Sequence, residues 1–380
     1  MRVQPLNHST NQPINHLSKE TTVYVAILAG GVGTRLWPRS REAMPKQFSD
    51  VIGSGRTMIQ TTVDRLDGMV DISDIYIITG RNYRSLVLEQ LPGLPPGNVI
   101  VEPSGRNTAP AIGLACAHLH HRDPNGIIAL LHADHIIQDV AAYRAVLQQA
   151  ELAAQADYLT VLGITPTSPH TGYGYIKRTG EPLPASGNLP VYAVDSFLEK
   201  PDRATAEGFL ASGSYYWNAG NFICRVERML AEFERQLPEL YTGLMTIGDS
   251  LGTPQSERVL DRIWETLTPI SIDHGVMEHA ERLAVIPLQA GWNDVGSWDA
   301  LEEVLPMDKD GNILVQGETL LVDSRGLIVS GGKRLIALVG VEDLVVVDSG
   351  DALLIGHKKQ IQKIKEVVQR LRAGERLDLL

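Results

Sequence analysis

Cysteine is nearly absent from this chain of 380 residues, which has only Cys116 and Cys224. The two lie far apart and belong to no CxxC or cysteine–histidine pattern, so nothing indicates a disulfide framework or a cysteine-held metal. We therefore expect both to be small core residues of a protein that works in the reducing environment of the cytoplasm.

Long apolar runs and basic clusters are also missing. No run approaches the roughly 20 apolar residues that a membrane-spanning helix needs. Residues 1–21 are rich in Asn, Gln, Ser, Thr and His and lack the apolar core of a signal peptide, so we expect a disordered tail. The net charge is −11, and without a block of basic residues the chain offers no surface for nucleic acid.

The first half of the chain alternates short apolar runs with amphipathic stretches. This alternation predicts an α/β fold class with a Rossmann-like, doubly wound mixed sheet, mostly parallel, whose ligands bind at the carboxyl ends of the strands. The predicted strands are 23–29, 75–79, 98–102, 126–132 and 158–164. The predicted helices are 57–67, 81–91, 108–120 and 139–156.

The second half changes character after Pro306, where short β-rich runs separated by Gly and Asp begin. They predict a small β-rich or β-helix-like domain closed by an amphipathic helix at 358–372, with a role in packing or dimerisation. Because 380 residues are long for one core, we expect a tail at 1–21, a catalytic domain at 22–305 and this domain at 306–380. The predicted strands of the second half are 172–176, 191–198, 312–316, 319–323, 326–330, 334–339, 343–348 and 352–356, and its other predicted helices are 202–212, 226–236 and 255–266.

A glycine loop with cationic side chains follows the first predicted strand. It contains Gly30, Gly31 and Gly33, and Arg35 and Lys46 come after them. Exposed backbone N–H groups and nearby cations are what a polyphosphate needs. No lysine follows the glycines at the spacing of a Walker loop, and a leucine stands where a dinucleotide fingerprint has its last glycine. The loop therefore predicts a phosphate site of another design.

This loop and its continuation at 37–48, Trp-Pro-Arg-Ser-Arg-Glu-Ala-Met-Pro-Lys-Gln-Phe, resemble the sugar-1-phosphate nucleotidyltransferases. Within that family they resemble the mannose-1-phosphate guanylyltransferases, and five further segments match in the same order up to about residue 300. The resemblance implies a nucleotide-diphospho-sugar transferase fold. It also implies that Arg35 and Lys46 draw charge toward a leaving pyrophosphate, while the three glycines hold a nucleoside triphosphate.

By the same resemblance, two aspartates are expected to hold Mg2+. Asp134 ends an apolar strand, where a polar residue gains nothing from burial, and Asp294 lies in the WNDVGSW segment at 292–298. Taken alone, each aspartate suits a loop or a helix cap, whereas both match metal-holding positions of the family. His132 stands where the family usually has proline. A zinc site at His132 and His135 is disfavoured, because zinc needs three or four ligands and no third is evident in the sequence.

The FLEKP, TGYG and YWNAG segments resemble the family's sugar-binding ones. Lys200 matches a lysine that pairs with the sugar phosphate, and Glu199 matches a glutamate that binds sugar hydroxyls. Without the resemblance, the pair would suit a surface turn. Gly172 and Asn218 are expected to complete the sugar pocket. Two acidic residues of the SIDHGVME segment are expected only to organise the site: Asp273 and Glu278.

The ExxxRNTAP segment at 102–110 resembles the family's nucleotide-binding one. The match implies that Arg106, Asn107 and Thr108 line the nucleotide pocket and help to select guanine. The same residues suit a helix start with Thr108 as its cap, and both interpretations can hold because a helix N-terminus favours an anion.

The reaction that the resemblance implies is GTP plus α-D-mannose 1-phosphate giving GDP-mannose and pyrophosphate. An oxygen of the sugar phosphate would attack the α-phosphorus in line, and alignment and charge stabilisation would suffice for catalysis. Two alternatives stay open: a transferase for another nucleoside triphosphate or hexose 1-phosphate, and a non-catalytic regulatory homologue that binds a sugar nucleotide. We expect a homodimer without nucleic-acid or membrane partners.

Overall fold

The structure is a computed structural model that describes residues 21–31, 33–184 and 187–380. The tail predicted at 1–21 lies outside the described residues except for Thr21. Of the helices in the described ranges, none combines the length and the apolar character of a membrane span.

In the described part of the chain, nine strands form one mixed sheet with the order β3-β2-β1-β4-β8-β5-β9-β7-β6. The strands are β1 (Val23–Leu28), β2 (Ile75–Gly80), β3 (Val99–Glu102), β4 (Ile127–His132), β5 (Leu159–Ile164), β6 (Tyr175–Pro182), β7 (Tyr192–Leu198), β8 (Tyr215–Arg225) and β9 (Leu283–Leu288). Strands β1 to β4 pair in parallel, and β8 joins β4 to β5 by antiparallel pairing on both sides. The predicted Rossmann-like mixed sheet is therefore confirmed. The expectation that it is mostly parallel is wrong, because β6, β7 and β8 pair only in antiparallel fashion, which makes five of the nine pairings antiparallel.

Helices cover both faces of this sheet. The helices of the described ranges are α1 (Met58–Asp64), α2 (Arg84–Gln90), α3 (Thr108–Arg122), α4 (Val140–Gln155), α5 (Arg203–Ser212), α6 (Val226–Gln236), α7 (Pro238–Ser250), α8 (Ser256–Trp264), α9 (Ile272–Gly275) and α10 (Ile364–Ala373), of which α10 packs with the C-terminal strands instead. Alternate residues of β1 enter opposite cores: Tyr24 and Ala26 pack on the side of α3, α6 and α7, and Val25 and Ile27 on the side of α1, α2 and α4. Burial on both faces explains why the central strands are continuous apolar runs.

The C-terminal part forms two small sheets of short strands, β10-β12-β14-β15 and β11-β13. All pairs are parallel except β14 with β15, which gives the expected β-helix-like, β-rich architecture. The predicted closing helix is a 3-10 segment, Lys358–Lys363, followed by α10. The strands are β10 (Ile313–Gln316), β11 (Thr319–Val322), β12 (Ile328–Ser330), β13 (Ile336–Val339), β14 (Leu344–Asp348) and β15 (Leu353–His357).

A third core joins this C-terminal part to the segments that carry the predicted site. Leu36 and Trp37, which follow the glycine loop, are buried in it together with Val295 and Trp298 from the WNDVGSW segment. Their C-terminal neighbours in this core include Val345, Val347, Ile361, Ile364 and Val368. The two loops of the predicted site therefore rest on the C-terminal strands and helix.

Gly53 marks one close approach between the two parts. Its φ is 71°, and a Cβ placed on it would lie 2.0 Å from the carbonyl oxygen of Val315 in β10. Gly55 has a similar φ of 77°, but nothing lies within 4 Å of its Cβ position. Both glycines avoid left-handed strain, and only Gly53 also avoids a backbone clash.

We predict that Gly53→Ala lowers the free energy of unfolding by about 1–3 kcal/mol more than Gly55→Ala does, because only the first adds overpacking to strain. Urea denaturation of the two variants measures this difference. Equal losses would mean that the loop does not approach Val315 closely in solution.

Candidate functional site

A cavity of about 320 Å³ opens at the carboxyl ends of the parallel strands. Gly30 and Gly31 follow β1, Glu102 ends β3, and Asp134 comes two residues after β4. Polar groups therefore gather where the rule for open α/β sheets puts ligands. The other lining residues are Leu28, Ala29, Gln47, Ile78, Gly105, Arg106, Asn107, Thr108, Ala111 and His132.

Glu102 is a buried acidic residue that lines this cavity. The residue is only 6% exposed, and a Cβ on Gly30 would lie 3.3 Å from its Oε2. Burial raises the pKa of the Glu102 carboxyl to about 7. No donor in the described part of the chain forms a hydrogen bond with this carboxyl, so its oxygens are available to a ligand in the cavity.

Three predicted nucleotide-binding residues line the cavity: Arg106, Asn107 and Thr108. Their side chains form hydrogen bonds with other groups of the protein. The Arg106 guanidinium donates to the carbonyls of Leu267 and Glu265 at 2.8 and 3.0 Å. Thr108 Oγ1 accepts from the backbone N–H of Ile272 at 2.8 Å. Helix α3 begins at Thr108, but its cap is Asn107, whose side chain accepts from the Thr108 N–H at 2.9 Å. The expected cap at Thr108 is thus displaced by one residue.

A buried ammonium connects the two predicted metal-holding segments. Lys46, only 4% exposed, places Nζ 3.0 Å from Asp134 Oδ2 and also donates to the backbone carbonyl of Asp294. The two loops are joined directly as well: Ile136 and Asn293 exchange backbone hydrogen bonds of 2.9 and 3.1 Å. Asp134 and Asp294, which are distant in the sequence, therefore lie on neighbouring segments around one lysine.

Asp134 is held in its ionised form. Burial alone acts to raise the pKa of its carboxyl, but the Lys46 ammonium, with His135 and His132, outweighs burial and holds the pKa well below its usual range. An acid with a lowered pKa keeps its negative charge at any physiological pH. The carboxylate is thus a permanent oxygen ligand or ion-pair partner.

Asp294 and Arg35 lie on a second cavity of about 480 Å³, on the other side of Lys46. Tyr173 donates its hydroxyl to Asp294 Oδ1 at 2.9 Å, and burial followed by Asp294 raises the pKa of Tyr173. Both the Arg35 guanidinium and Asp294 Oδ2 border Gly296. The structure therefore separates the two predicted cations, because Lys46 is buried between the loops and Arg35 faces the second cavity.

Gly33 supports Lys46 and does not line the first cavity. Its φ is 66°, and a Cβ there would lie 2.8 Å from the Cβ of Lys46. A glycine is required for both the left-handed conformation and this close approach.

The His132, Asp134 and His135 side chains present three possible metal ligands within 4.8 Å of one another, so the third ligand that the sequence did not reveal is Asp134. The imidazole rings of the two histidines stack, with their centroids 4.6 Å apart. Trp292 donates its indole N–H to His135 Nδ1 at 3.1 Å, so the neutral ring carries its proton on Nε2. In this tautomer neither ring nitrogen of His135 has a free lone pair for a metal, so the arrangement does not favour zinc.

The predicted sugar-binding residues form a third group. Lys200 Nζ lies 2.7 Å from Glu199 Oε1, and Glu199 Oε2 is buried without a hydrogen-bond partner in the described part of the chain. The Asn218 amide donates to Asp273 Oδ1 at 2.8 Å, and the Asn218 backbone N–H donates to the carbonyl of Gly174. An unpaired buried oxygen beside an amide is a site for a hydroxyl ligand.

The glycine that lies close to the predicted sugar-binding residues is Gly174 and not Gly172. A Cβ on Gly174 would lie 2.4 Å from Glu199 Oε2 and 3.3 Å from the Cβ of Asn218. Gly172 instead packs on His170, to whose Nδ1 its N–H donates at 3.1 Å.

Asp273 and Glu278 support this group as expected. Burial, followed by the charge of Glu199, raises the pKa of Asp273 to about 6. Glu278 Oε1 accepts from the Glu199 N–H at 3.3 Å. Both acids therefore touch residues of the sugar group.

Sequence reasoning assigned no role to Glu102, Tyr173 or Gly174. Glu102 carries the same signal as Asp134, a carboxylate at the end of an apolar strand, and could have been found by it. Tyr173 and Gly174 gave no separate signal, because only the folded chain brings them to Asp294 and Glu199.

Comparison with known proteins finds two matching family profiles. The Nucleotidyl transferase profile matches residues 24–311, and the MannoseP isomerase/GMP-like beta-helix domain profile matches residues 317–371. The Xanthan biosynthesis protein XanB of Xanthomonas campestris pv. campestris (strain B100) is 40% identical over 353 residues, which are 92% of this chain and 73% of that protein. The Mannose-1-phosphate guanylyltransferase of Klebsiella pneumoniae is 39% identical over 359 residues, which are 92% of this chain and 74% of that protein.

A solved structure is similar over nearly the whole chain. It is described as mannose-1-phosphate geranyltransferase from Thermus thermophilus, with a TM-score of 0.83 and 33% sequence identity. The match covers 93% of this chain and 100% of that chain. It therefore includes both the large sheet and the C-terminal strands.

Glu102 should make stability depend on pH. Its pKa is about 7 in the folded chain against 4.5 when unperturbed, so between these values the folded state holds a proton that the unfolded state releases. We predict that wild type loses stability relative to Glu102→Gln as pH rises through this window, by on the order of 2–3 kcal/mol in total. Urea denaturation of both proteins across the window tests this, and a constant difference would contradict the buried, unpaired carboxyl.

Proposed function

Because the chain belongs to the nucleotidyl transferase family, we propose that it transfers GMP from GTP to α-D-mannose 1-phosphate, forming GDP-mannose and pyrophosphate. Relatives with the name mannose-1-phosphate guanylyltransferase support this substrate pair. The observation that carries the proposal is the contact of Lys46 with both the Asp134 carboxylate and the Asp294 backbone, between two cavities.

The proposed chemistry is a single in-line displacement. An oxygen of mannose 1-phosphate forms a bond to the α-phosphorus of GTP, and the bond from that phosphorus to the bridging oxygen of the β-phosphate breaks. The electron pair leaves with pyrophosphate. The attacking oxygen is already ionised at neutral pH, so the enzyme needs alignment and cations more than a general base.

The first cavity supports GTP binding. Gly30 and Gly31 leave room for phosphates to approach the backbone, and Glu102 lines the same cavity. Guanine has two neighbouring donors on one edge, N1–H and the 2-amino group, which match the two oxygens of a carboxylate. Adenine has an acceptor at the corresponding ring nitrogen and would face a charged acceptor. Guanine binding would therefore favour the ionised form of Glu102.

The third group of residues supports binding of the sugar phosphate. Glu199 Oε2, unpaired among the described residues, can accept hydrogen bonds from sugar hydroxyls, and Gly174 has no side chain that would clash with this oxygen. Lys200 is exposed and can turn from Glu199 to the acceptor phosphate. Tyr173 connects this group to Asp294, because its carbonyl accepts from the Lys200 N–H while its hydroxyl bonds Asp294. The acceptor would thus enter beside the Asp294 loop.

Asp134 and Asp294 fit Mg2+ as the residues that would hold it. The donor set is right, since Mg2+ takes one or two carboxylates plus phosphate oxygens and water. Asp134 is ionised, and the paired loops make the two segments neighbours, with Lys46 at the Asp134 carboxylate and at the Asp294 backbone carbonyl. When bound, Mg2+ would neutralise charge on the two substrates. Lys46 and Arg35 remain the cations that the chain itself supplies to the triphosphate and to pyrophosphate.

We extend the proposal to a cytoplasmic homodimer. Both cysteines are free and buried, which suits a reducing compartment. Leu320, Val322 and Val339 form an exposed apolar stripe on the small β11-β13 sheet, which suits burial against a second copy.

The alternatives are weaker. A base without two neighbouring N–H donors would leave one oxygen of the Glu102 carboxylate without a hydrogen bond, so this residue argues for guanine. A regulatory homologue that binds a sugar nucleotide without turnover would not need an ionised Asp134 held by a buried lysine, which argues for catalysis.

Asp134→Asn should lower kcat for pyrophosphate release from GTP and mannose 1-phosphate by about 10²-fold or more, because it removes a charge that the site needs. The exposed Asp67 offers a control, and Asp67→Asn should leave kcat unchanged. Assays run with and without Mg2+ over several nucleotides and hexose 1-phosphates decide the substrates. Absence of Mg2+-dependent release in wild type, or full turnover in Asp134→Asn, would contradict the proposal.

Glu102→Gln should lower kcat/KM for GTP by about 10²-fold while changing kcat/KM for UTP much less. An amide replaces one acceptor by a donor, which suits the N3–H and carbonyl edge of uracil better than the two donors of guanine. Pyrophosphate release with each nucleotide measures the ratio. An unchanged preference for GTP would mean that Glu102 does not contact the base.

A further inference from the structure

The C-terminal domain holds the stretch that separates the two predicted cations of the site. This stretch, residues 36–42, is called the linking segment here, because it joins Arg35 to the buried Lys46. Only Leu36 belongs to a helical turn, Thr34–Leu36, and the rest has no helix or strand. Leu36 and Trp37 are buried in the core shared with the C-terminal strands.

Two hydrogen bonds from indole N–H groups hold Trp37. Its indole N–H donates to the carbonyl of Leu379, close to the end of the chain, at 2.8 Å. Its own carbonyl accepts from the indole N–H of Trp298, in the WNDVGSW segment, at 3.0 Å. Arg39 donates to the carbonyl of Gly331 at 2.7 Å. The linking segment thus connects the Asp294 loop to the C-terminal domain.

Two ion pairs complete these contacts. Arg41 donates to both oxygens of Asp351 at 2.7 and 2.6 Å and to Ser349 Oγ at 3.0 Å. Glu42 pairs with Arg372 of α10 at 2.6 Å. Neither Asp351 nor Arg372 lines either of the two large cavities.

We propose that the C-terminal domain is a positioning element of the transfer reaction, and that Asp351 and Arg372 act by fixing the linking segment, which keeps Lys46 at its two partners, Asp134 and the Asp294 backbone, and keeps Arg35 at the second cavity. The inference rests on the proposed function. A segment without helix or strand loses much conformational entropy when it is ordered, and contacts formed in advance remove that loss from the catalytic step.

A role limited to overall stability predicts something different. The side chains of Asp351, Arg372 and Glu42 are more than half exposed. The Arg41 side chain is 13% exposed, but without Asp351 it keeps its hydrogen bonds to Ser349 and to the Pro38 carbonyl. Exposed ion pairs contribute little to global stability. Loss of these pairs should therefore leave the fold intact and change the linking segment alone.

The test compares two double variants of the full chain with equal charge changes. Asp351→Ala with Arg372→Ala removes both contacts to the linking segment. Glu342→Ala with Arg56→Ala is the control, because Glu342 pairs with Arg325 and Arg56 with Asp64, and neither pair includes a residue of the linking segment. Readouts are pyrophosphate-release kinetics, melting temperature and hydrogen exchange of peptides covering residues 34–48 and β2.

We expect the first variant to lose at least about tenfold in kcat/KM for GTP, since small misplacements of catalytic groups have large kinetic effects. Hydrogen exchange should become faster in residues 34–48 and stay unchanged in β2. Asp351→Glu, which keeps a carboxylate, should retain more activity than Asp351→Ala, and the control should match wild type.

Several results would overturn the inference. Wild-type kinetics and exchange in the first variant would show that the contacts position nothing. Faster exchange in β2 as well, or equal losses in the control, would show general destabilisation. A wild type that releases no pyrophosphate would refute the proposed function, and the exchange measurement would still decide whether the C-terminal domain orders the linking segment.

Discussion

The structure depends on one buried ammonium, that of Lys46, set between the Asp134 carboxylate and the Asp294 backbone carbonyl. A buried charge is stable only when its partners are in place, so this lysine requires the two loops to meet. The backbone pairing of Ile136 with Asn293 provides that meeting. One interaction therefore fixes both acidic segments and the glycine loop that precedes the lysine.

Three parts of the fold contribute to the site around Lys46. Parallel strands end at one edge of the sheet and bring Gly30, Glu102 and Asp134 to the first cavity. The Asp294 loop arrives after β9 from the other half of the sheet, and Tyr173 connects it to the sugar group. The C-terminal domain adds the core on which both loops rest. The same few segments therefore carry both the residues of the site and the contacts with the C-terminal domain.

Much of this could be predicted from the sequence, because parallel strands buried on both faces are continuous apolar runs. The five strands predicted in the first half occur within a residue of their expected bounds. Strand β8 was not predicted, since Asn218, Gly220 and Asn221 interrupt its apolar pattern. Three features depend on tertiary contacts, which local sequence patterns do not contain. They are the close approach at Gly174 in place of Gly172, the helix cap at Asn107 and the position of Arg35 on the second cavity.

The central claim is that Lys46 and Asp134 act as one unit, and a double-mutant cycle on kcat/KM for pyrophosphate release tests it most directly. The cycle compares wild type, Lys46→Met, Asp134→Asn and the double variant. We predict that each single change loses nearly as much as both together, with a coupling energy of at least about 1.5 kcal/mol. Losses that simply add would contradict the account, because the lysine and the aspartate would then work independently.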